Sequence, residues 1–347
     1  DFSDSTNGAL LLEPQRTNLI PYSEDFSVAN WTKSNATITS NSIISPDGTS
    51  NADKLVENSS TSAHQVYDTV ITNSGDYSNS IFVKSAERSK IRINSGSNSY
   101  RVDFDLSNGT VISQLGATGN IVSVSNGWYK CDISWNTVIV SAQYFLISLL
   151  DDSGTQQYQG DGTSGVYIYG AQLEQGSYAT SYIPTSGSTV TRNQEICNNS
   201  GTVNDFNSEE GVLYAEVKYP SNNIGSGVYS PISISGGSTN FVTFRHQGGV
   251  SNRLSIFIYV NNVEKFVLLT TAYNLNNYVK IAVLYSSSGS KIFINGTVAY
   301  TDTINSSFPS NTLTEVEGFQ GGDYFKGKVK NLKVFKRALT DAELYLL

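Results

Sequence analysis

The stretch Tyr100-Arg101-Val102-Asp103-Phe104-Asp105-Leu106, followed by Ser107-Asn108-Gly109-Thr110, decides the reading of the fold. Apolar residues take every second position, charged residues fill the gaps, and a turn-forming run ends the pattern. A period of two sends successive side chains to opposite faces, which is the mark of a half-buried strand. The same pattern recurs at residues 80–84, 90–94, 128–135, 144–150 and 166–173, with clusters of Gly, Ser, Asn and Asp between. Short strands in series, almost without helix, must bury their apolar faces against a second sheet. The chain is therefore predicted to be all-β and built from antiparallel sandwiches.

A polar segment with Pro, Gly and Ser at 184–192 interrupts the series, and we place a boundary there, between residues 1–188 and 189–347. A second series follows at 212–219, 241–246, 254–260, 263–269, 279–285, 291–294 and 328–335. Two hairpins are legible within it, one at Val260-Asn261-Asn262-Val263 and one at Ile294-Asn295-Gly296-Thr297. Asn-Gly suits the positive φ angles of a type I′ turn. The one convincing helix lies at the C-terminus, where Thr340-Asp341-Ala342-Glu343 has the spacing of a capping box. It is predicted to be short and to pack Leu344 and Leu347 on the second sandwich.

The length of 347 residues suits two domains. Lys+Arg number 22 against 30 Asp+Glu, a net charge of −8 with a pI near 4.8. Such a surface does not displace counterions from a duplex, so a nucleic-acid partner is excluded from the reading. No stretch approaches the roughly 20 apolar residues of a membrane span. The start, Asp1-Phe2-Ser3-Asp4, does not read as a signal peptide, and the absence of methionine suggests an excised fragment. Cys131 and Cys197 read as free thiols, with a disulfide between them as the alternative.

Two stretches carry a family likeness. The first is Leu10-Leu11-Leu12-Glu13-Pro14-Gln15-Arg16-Thr17-Asn18-Leu19-Ile20, then Tyr22-Ser23-Glu24-Asp25-Phe26 and Trp31. The second is Tyr167-Ile168-Tyr169-Gly170-Ala171-Gln172-Leu173-Glu174, with Ala179-Thr180-Ser181-Tyr182-Ile183-Pro184-Thr185 and Val190-Thr191-Arg192. Pro46-Asp47-Gly48-Thr49 and Asn126-Gly127-Trp128-Tyr129-Lys130 lie between them. In this order the motifs resemble the jelly-roll modules of bacteriophage tail, fibre and baseplate proteins, which are themselves similar to carbohydrate-binding modules. The second half is similar to concanavalin A-like or laminin-G-like sandwiches. That likeness rests on Glu210-Gly211-Val212-Leu213-Tyr214, Ile294-Asn295-Gly296, Gly327-Lys328-Val329-Lys330-Asn331-Leu332-Lys333-Val334-Phe335 and the ending Arg337-Ala338-Leu339-Thr340-Asp341-Ala342-Glu343-Leu344. The resemblance implies a jelly roll followed by a concanavalin A-like sandwich, with glycan recognition at a cell surface. It also implies that a structural calcium is compatible with the region of Glu24, Asp25 and Glu174, although no contiguous calcium loop is present. No cofactor is required.

Catalytic signatures are missing. There is no Gly-x-Ser-x-Gly elbow, no His-Glu-x-x-His pair and no phosphate-binding glycine loop. The Glu-x-Asp-x-x-Glu strand of sandwich glycosidases is also missing, Glu315-Val316-Glu317 lacking a third member. His64 and His246 stand alone in different domains. Sugar binding needs a flat ring for the C–H face of a pyranose and polar groups for its hydroxyls. On a concave jelly-roll face the alternation places Lys84, Arg101, Asp103, Lys130 and Asp132 together; the alternative is a salt-bridged exposed sheet that binds nothing. Tyr158 and Asp161, in Gln156-Gln157-Tyr158-Gln159-Gly160-Asp161-Gly162, offer a ring beside amides and a carboxylate, or else a tight turn with Asp161 bonding its own backbone. Trp31, Trp128 and Trp135 read as core. Arg245, His246, Tyr259 and Asn262 are candidates in the second domain.

The sequence thus leads to non-catalytic recognition of host surface polysaccharide by a virion or extracellular protein. Its partners would be a cell-surface glycan and other virion proteins, without membrane insertion, in a chain that also fits a homo-oligomer. A virion assembly spacer and an ancillary region of a secreted polysaccharide-degrading enzyme are the alternatives.

Overall fold

The computed structural model describes residues 8–95, 99–138, 141–219, 229–247, 253–320 and 323–347. The chain divides into two compact units, residues 15–193 and residues 1–14 with 194–347. This differs from the sequence reading at both ends. The strand Leu10–Leu12 pairs with Gly327–Phe335, so the N-terminal segment completes a sheet of the second unit. Val190–Arg192 pairs with Arg16–Asn18, which keeps the residues up to 193 with the first. Both pairings join segments remote in sequence, and no local pattern announces them.

Eight strands form the body of the 15–193 unit. They are β1 (Ala52–Glu57), β2 (Gln65–Thr72), β3 (Gly75–Ser85), β4 (Lys90–Ser95), β5 (Tyr100–Asp105), β6 (Trp128–Thr137), β7 (Ser141–Leu150) and β8 (Gly165–Gln175). One sheet has the order β1-β8-β3-β6 and the other β2-β7-β4-β5, with every pairing antiparallel. This winding is that of a jelly roll. The strands Ala36–Ile43 and Thr118–Ser123 extend the first sheet; Thr32–Ser34 and Thr110–Leu115 extend the second.

Alternation sets the core as the sequence predicts. Ile81, Val83, Cys131, Ile133 and Ile168 of the first sheet are buried with Ile91, Ile93, Val102, Phe104 and Phe145 of the second. Cys131 is a free thiol whose pKa burial pushes well up, and Cys197 is also free. A bulge in β8 between Tyr169 and Gln172 shifts the phase of the strand. Gly170 takes φ 67° there, and a Cβ would meet the Phe82 ring at 3.0 Å. The bulge leaves Ala171 and Leu173 in the core.

Among the described residues, the second unit has ten further strands beside Leu10–Leu12 in its two main sheets. These are β9 (Gly211–Lys218), β10 (Tyr229–Ser235), β11 (Phe241–Gln247), β12 (Leu254–Val260), β13 (Val263–Thr270), β14 (Val279–Tyr285), β15 (Lys291–Ile294), β16 (Thr297–Thr301), β17 (Glu315–Glu317) and β18 (Gly327–Phe335). One sheet runs from Leu10–Leu12 through β18-β9-β14-β15-β16, and the other has the order β13-β12-β11-β10-β17. Both predicted hairpins form, with Asn261 and Asn262 at φ 51° and 60° and Asn295 and Gly296 at 51° and 71°.

The helix α1 (Asp341–Tyr345) has the predicted capping box. The Glu343 amide donates to Thr340 Oγ1 at 3.3 Å and the Thr340 amide to Glu343 Oε2 at 2.8 Å. Leu344 is buried among Val212, Leu284 and Phe293, and Leu347 packs against the same cluster. Among the described residues no helix is long and apolar enough to cross a membrane.

Candidate functional site

The structure separates the charged residues that the sequence grouped. Lys84 on β3 and Lys130 and Asp132 on β6 share the outer face of one sheet, where Lys84 pairs with Trp128, Lys130 with Phe82 and Asp132 with Ser80. Lys84 Nζ donates to the Asn126 carbonyl at 2.7 Å and Lys130 Nζ to that of Thr180 at 2.7 Å. Burial raises the Asp132 carboxyl to about 6; Glu174 adds to the rise, while Lys130 and Asn120 oppose it. Arg101 and Asp103 are on β5, in the opposite sheet. Asp103 is only 5% exposed. Its oxygens accept from Arg92 Nε at 2.6 Å and Nη2 at 2.9 Å, and from Ser113 Oγ at 2.8 Å. Alternation assigns a face within one strand but cannot say which strands share a sheet, and that corrects the grouping.

Tyr158 and Asp161 are engaged within the unit. Tyr158 is 8% exposed, with its ring 4.8 Å from that of His64 and its hydroxyl donating to Glu57 Oε2 at 2.6 Å. Asp161 caps its own turn. Its Oδ1 accepts the amides of Thr163 and Ser164, both at 2.7 Å, and Oδ2 accepts Ser164 Oγ at 2.5 Å. These donors, Ser164 first, hold its carboxyl well below the usual range.

The remaining candidates have packing or turn roles. Trp31 is buried and donates to the Tyr22 carbonyl at 2.8 Å; Trp135 stacks between Tyr77 and Tyr100. Trp128 faces outward on its sheet but is covered, with Nε1 donating to the Ile44 carbonyl at 3.2 Å. In the second unit His246 is buried against Tyr219, Arg245 lies over Phe257 at 4.5 Å, Tyr259 donates to Glu264 at 2.8 Å and Asn262 sits in a hairpin turn. Glu315 and Glu317 occupy β17, both half-buried.

A cavity of about 430 Å³ in the 15–193 unit offers a better site. Three acidic residues (Glu24, Asp25 and Asp53), two asparagines (Asn41 and Asn51), and Tyr22, Ser40 and Ser186 are among the residues that line it. Asp53, on β1, is the anchor. One of its oxygens accepts the Phe26 amide and the other the Asn41 amide, both at 3.0 Å. The strand Ala36–Ile43 breaks register between Thr39 and Ile43, and Asn41 takes φ 54° in that break. Burial raises the Asp53 carboxyl and the Asp25 charge adds to the rise, while its amide bonds oppose it.

Asp25 Oδ1 accepts the amide and hydroxyl of Ser27 at 2.9 and 2.6 Å. Glu24 Oε1 lies 3.0 Å from the Tyr169 hydroxyl and 3.1 Å from that of Tyr182. Asn51 Nδ2 donates to Asp47 at 3.3 Å, while its Oδ1 is shielded from solvent and receives no donor. Lys33 Nζ is engaged by the carbonyls of Ser27 and Val28, each at 2.7 Å. The walls are therefore rich in acceptors.

None of the tyrosine and asparagine walls was singled out from sequence as a site. The usable signal was present, since Tyr22-Ser23-Glu24-Asp25-Phe26 and Pro46-Asp47-Gly48-Thr49 are motifs that carried the family likeness. The donor set suggested for calcium does not assemble. Glu24 and Asp25 reach the cavity, but both oxygens of Glu174 are taken by Thr180, whose amide and hydroxyl donate at 2.9 and 2.5 Å.

Residues 202–345 match the family described as the concanavalin A-like lectin/glucanases superfamily. No curated protein matches the sequence. Among solved structures, the chain is similar to the native heptameric SAP-like pentraxin from Limulus polyphemus, at 13% identity and a TM-score of 0.35, over 43% of this chain and 73% of that one. It is also similar to domains LG4-5 of the mouse laminin alpha1 chain, at 10% identity and a TM-score of 0.29, over 93% of this chain and 94% of that one. The nearly all-β structure and this match over residues 202–345 give the second unit a concanavalin A-like fold.

Proposed function

We propose that this chain is a non-catalytic carbohydrate-binding protein, and that it serves host surface polysaccharide recognition in a phage tail, fibre or baseplate, or in another extracellular setting. The cavity beside Asp53 carries the reading. Its volume falls within the range of small-molecule sites, about 300–1,000 Å³. Carboxylates and amides accept from sugar hydroxyls, and Tyr22, a partly buried aromatic, is among the lining residues. The lectin-like fold of the second unit is in keeping with glycan binding. The test is binding to host polysaccharides on a glycan array, with Tyr22→Ala and Asn51→Ala as variants. Retention by the parent chain and about tenfold weaker retention by each folded variant is expected. Equal retention by both variants would place the sugar elsewhere.

A second reading, as a virion assembly spacer, draws support from two edge strands. Residues 110–125 carry no charge, and Ile112, Leu115 and Val122 are 46%, 51% and 41% exposed on Thr110–Leu115 and Thr118–Ser123. Unpaired edges of this kind add to other chains. Light scattering of the parent and of Val122→Lys separates the readings: self-association abolished by the lysine, with glycan retention absent, favours the spacer.

A further inference from the structure

We infer that the cavity selects saccharides bearing a protonated amine, such as 2-amino-2-deoxyhexose units, over neutral and anionic ones. This rests on the proposed saccharide site and specifies the class of sugar it takes.

The argument is one of donors and acceptors. Asn51, a lining residue, keeps its Oδ1 shielded from solvent and without a donor. Asp25 uses Oδ1 for Ser27, and Glu24 uses Oε1 for Tyr169 and Tyr182; no described group donates to the second oxygen of either. The nearby cation, Lys33, spends its ammonium on the carbonyls of Ser27 and Val28. A hydroxyl supplies one hydrogen, whereas an ammonium supplies three together with a positive charge. Charge-assisted bonds to carboxylates are roughly twice as strong as neutral ones. A uronate would instead meet the negative field of Glu24, Asp25 and Asp53. Burial raises the Asp53 carboxyl and the Asp25 charge adds to the rise, while the Asn41 and Phe26 amides and the Lys33 charge oppose it.

The experiment is titration calorimetry on the whole chain in EDTA at about pH 6, where amines are protonated. The probes are a glucosamine tetrasaccharide, its N-acetylated counterpart and a galacturonate tetrasaccharide. The glucosamine probe is expected to bind at least about tenfold more tightly than the others, and to lose that margin near pH 9. Asp25→Asn keeps an acceptor for Ser27 and removes the charge; it should erase the preference for the amine probe over its N-acetylated counterpart. Glu24→Gln provides an independent second variant, and thermal melting shows that each is folded. Equal affinity for the amine and N-acetyl probes, or tighter galacturonate, overturns the charge selection and leaves the saccharide reading intact. Binding restored only by added calcium overturns it in favour of a metal-bridged sugar. Absence of binding by all three probes overturns both readings.

Discussion

Arg88 meets Glu57 with two parallel bonds, Nε to Oε2 at 2.9 Å and Nη2 to Oε1 at 2.6 Å. The same carboxylate accepts the Tyr158 hydroxyl at 2.6 Å and the Asp161 amide at 2.9 Å. Four donors thus converge on a side chain with almost no solvent contact, which ties β1 to the turn that precedes β8.

Removing that carboxylate should unlock the jelly roll. Burial acts to raise the Glu57 pKa, but the Arg88 bonds, then Tyr158 and the Asp161 amide, outweigh it and hold the group below its ordinary value. A lowered pKa contributes stability above the unfolded value, about 4, and that contribution is lost as the pH falls further. Glu57→Ala leaves Arg88 and Tyr158 without their partner and is expected to cost about 4 kcal/mol at neutral pH. Urea unfolding measures it; a loss under about 1 kcal/mol would show that water replaces the carboxylate.

His246 sets an acid limit on the second unit. Burial lowers its pKa to about 4, below the free value near 6.5. Between these values the unfolded chain binds the extra proton, so stability should decline as the pH falls through that window, by of order 3 kcal/mol. His246→Phe removes the titration, and its melting temperature should vary less from pH 7 to pH 4 than the parent's. Parallel curves for the two proteins would assign the acid sensitivity to other groups.

Asp132 acts in the opposite direction. Its carboxyl, raised to about 6 chiefly by burial, stabilises the fold while protonated, below about pH 4, and loses that contribution as the pH rises through 6. At neutral pH its charge is a burden. Asp132→Asn retains an acceptor for the Asn120 amide, which donates at 3.1 Å, and is expected to stabilise the jelly roll by about 1 kcal/mol at pH 7. Calorimetric scans at pH 4 and pH 7 check the sign, since the gain should appear only at the higher pH.

The terminal helix depends on its cap. Thr340→Ala deletes the acceptor for the Glu343 amide and should loosen α1 at a cost of about 1 kcal/mol. Amide exchange should quicken first at Leu344, whose amide donates to the Thr340 carbonyl at 3.0 Å. Unchanged exchange there would mean that packing of Leu344 on Val212 and Leu284 suffices without the cap.

Much of the fold was legible because its rules are local. Val102 and Phe104 alternate with Arg101 and Asp103, and the apolar pair is in the core. Asn261-Asn262 and Asn295-Gly296 name their turns, because few other residues take positive φ so readily. Strands with weaker alternation went unread. Ala36–Ile43 is mostly Thr, Ser and Asn with much of its length exposed, so polarity disguised it as a loop. Yet that strand supplies the Asn41 wall of the cavity.

The sequence by itself determined strand periods, hairpin turns, the helix cap, the acidic balance and the order of two β-sandwich units. Each of these follows from steric and hydrogen-bonding preferences acting over a few neighbouring residues. Only the tertiary structure decided that Leu10–Leu12 joins the last strand, that Asp103 faces Arg92 away from Lys84, and that Tyr22, Asn51 and Asp53 share one cavity. Those relationships come from pairing and packing between distant segments, where backbone hydrogen bonds and buried area select the partner and no local pattern records the choice.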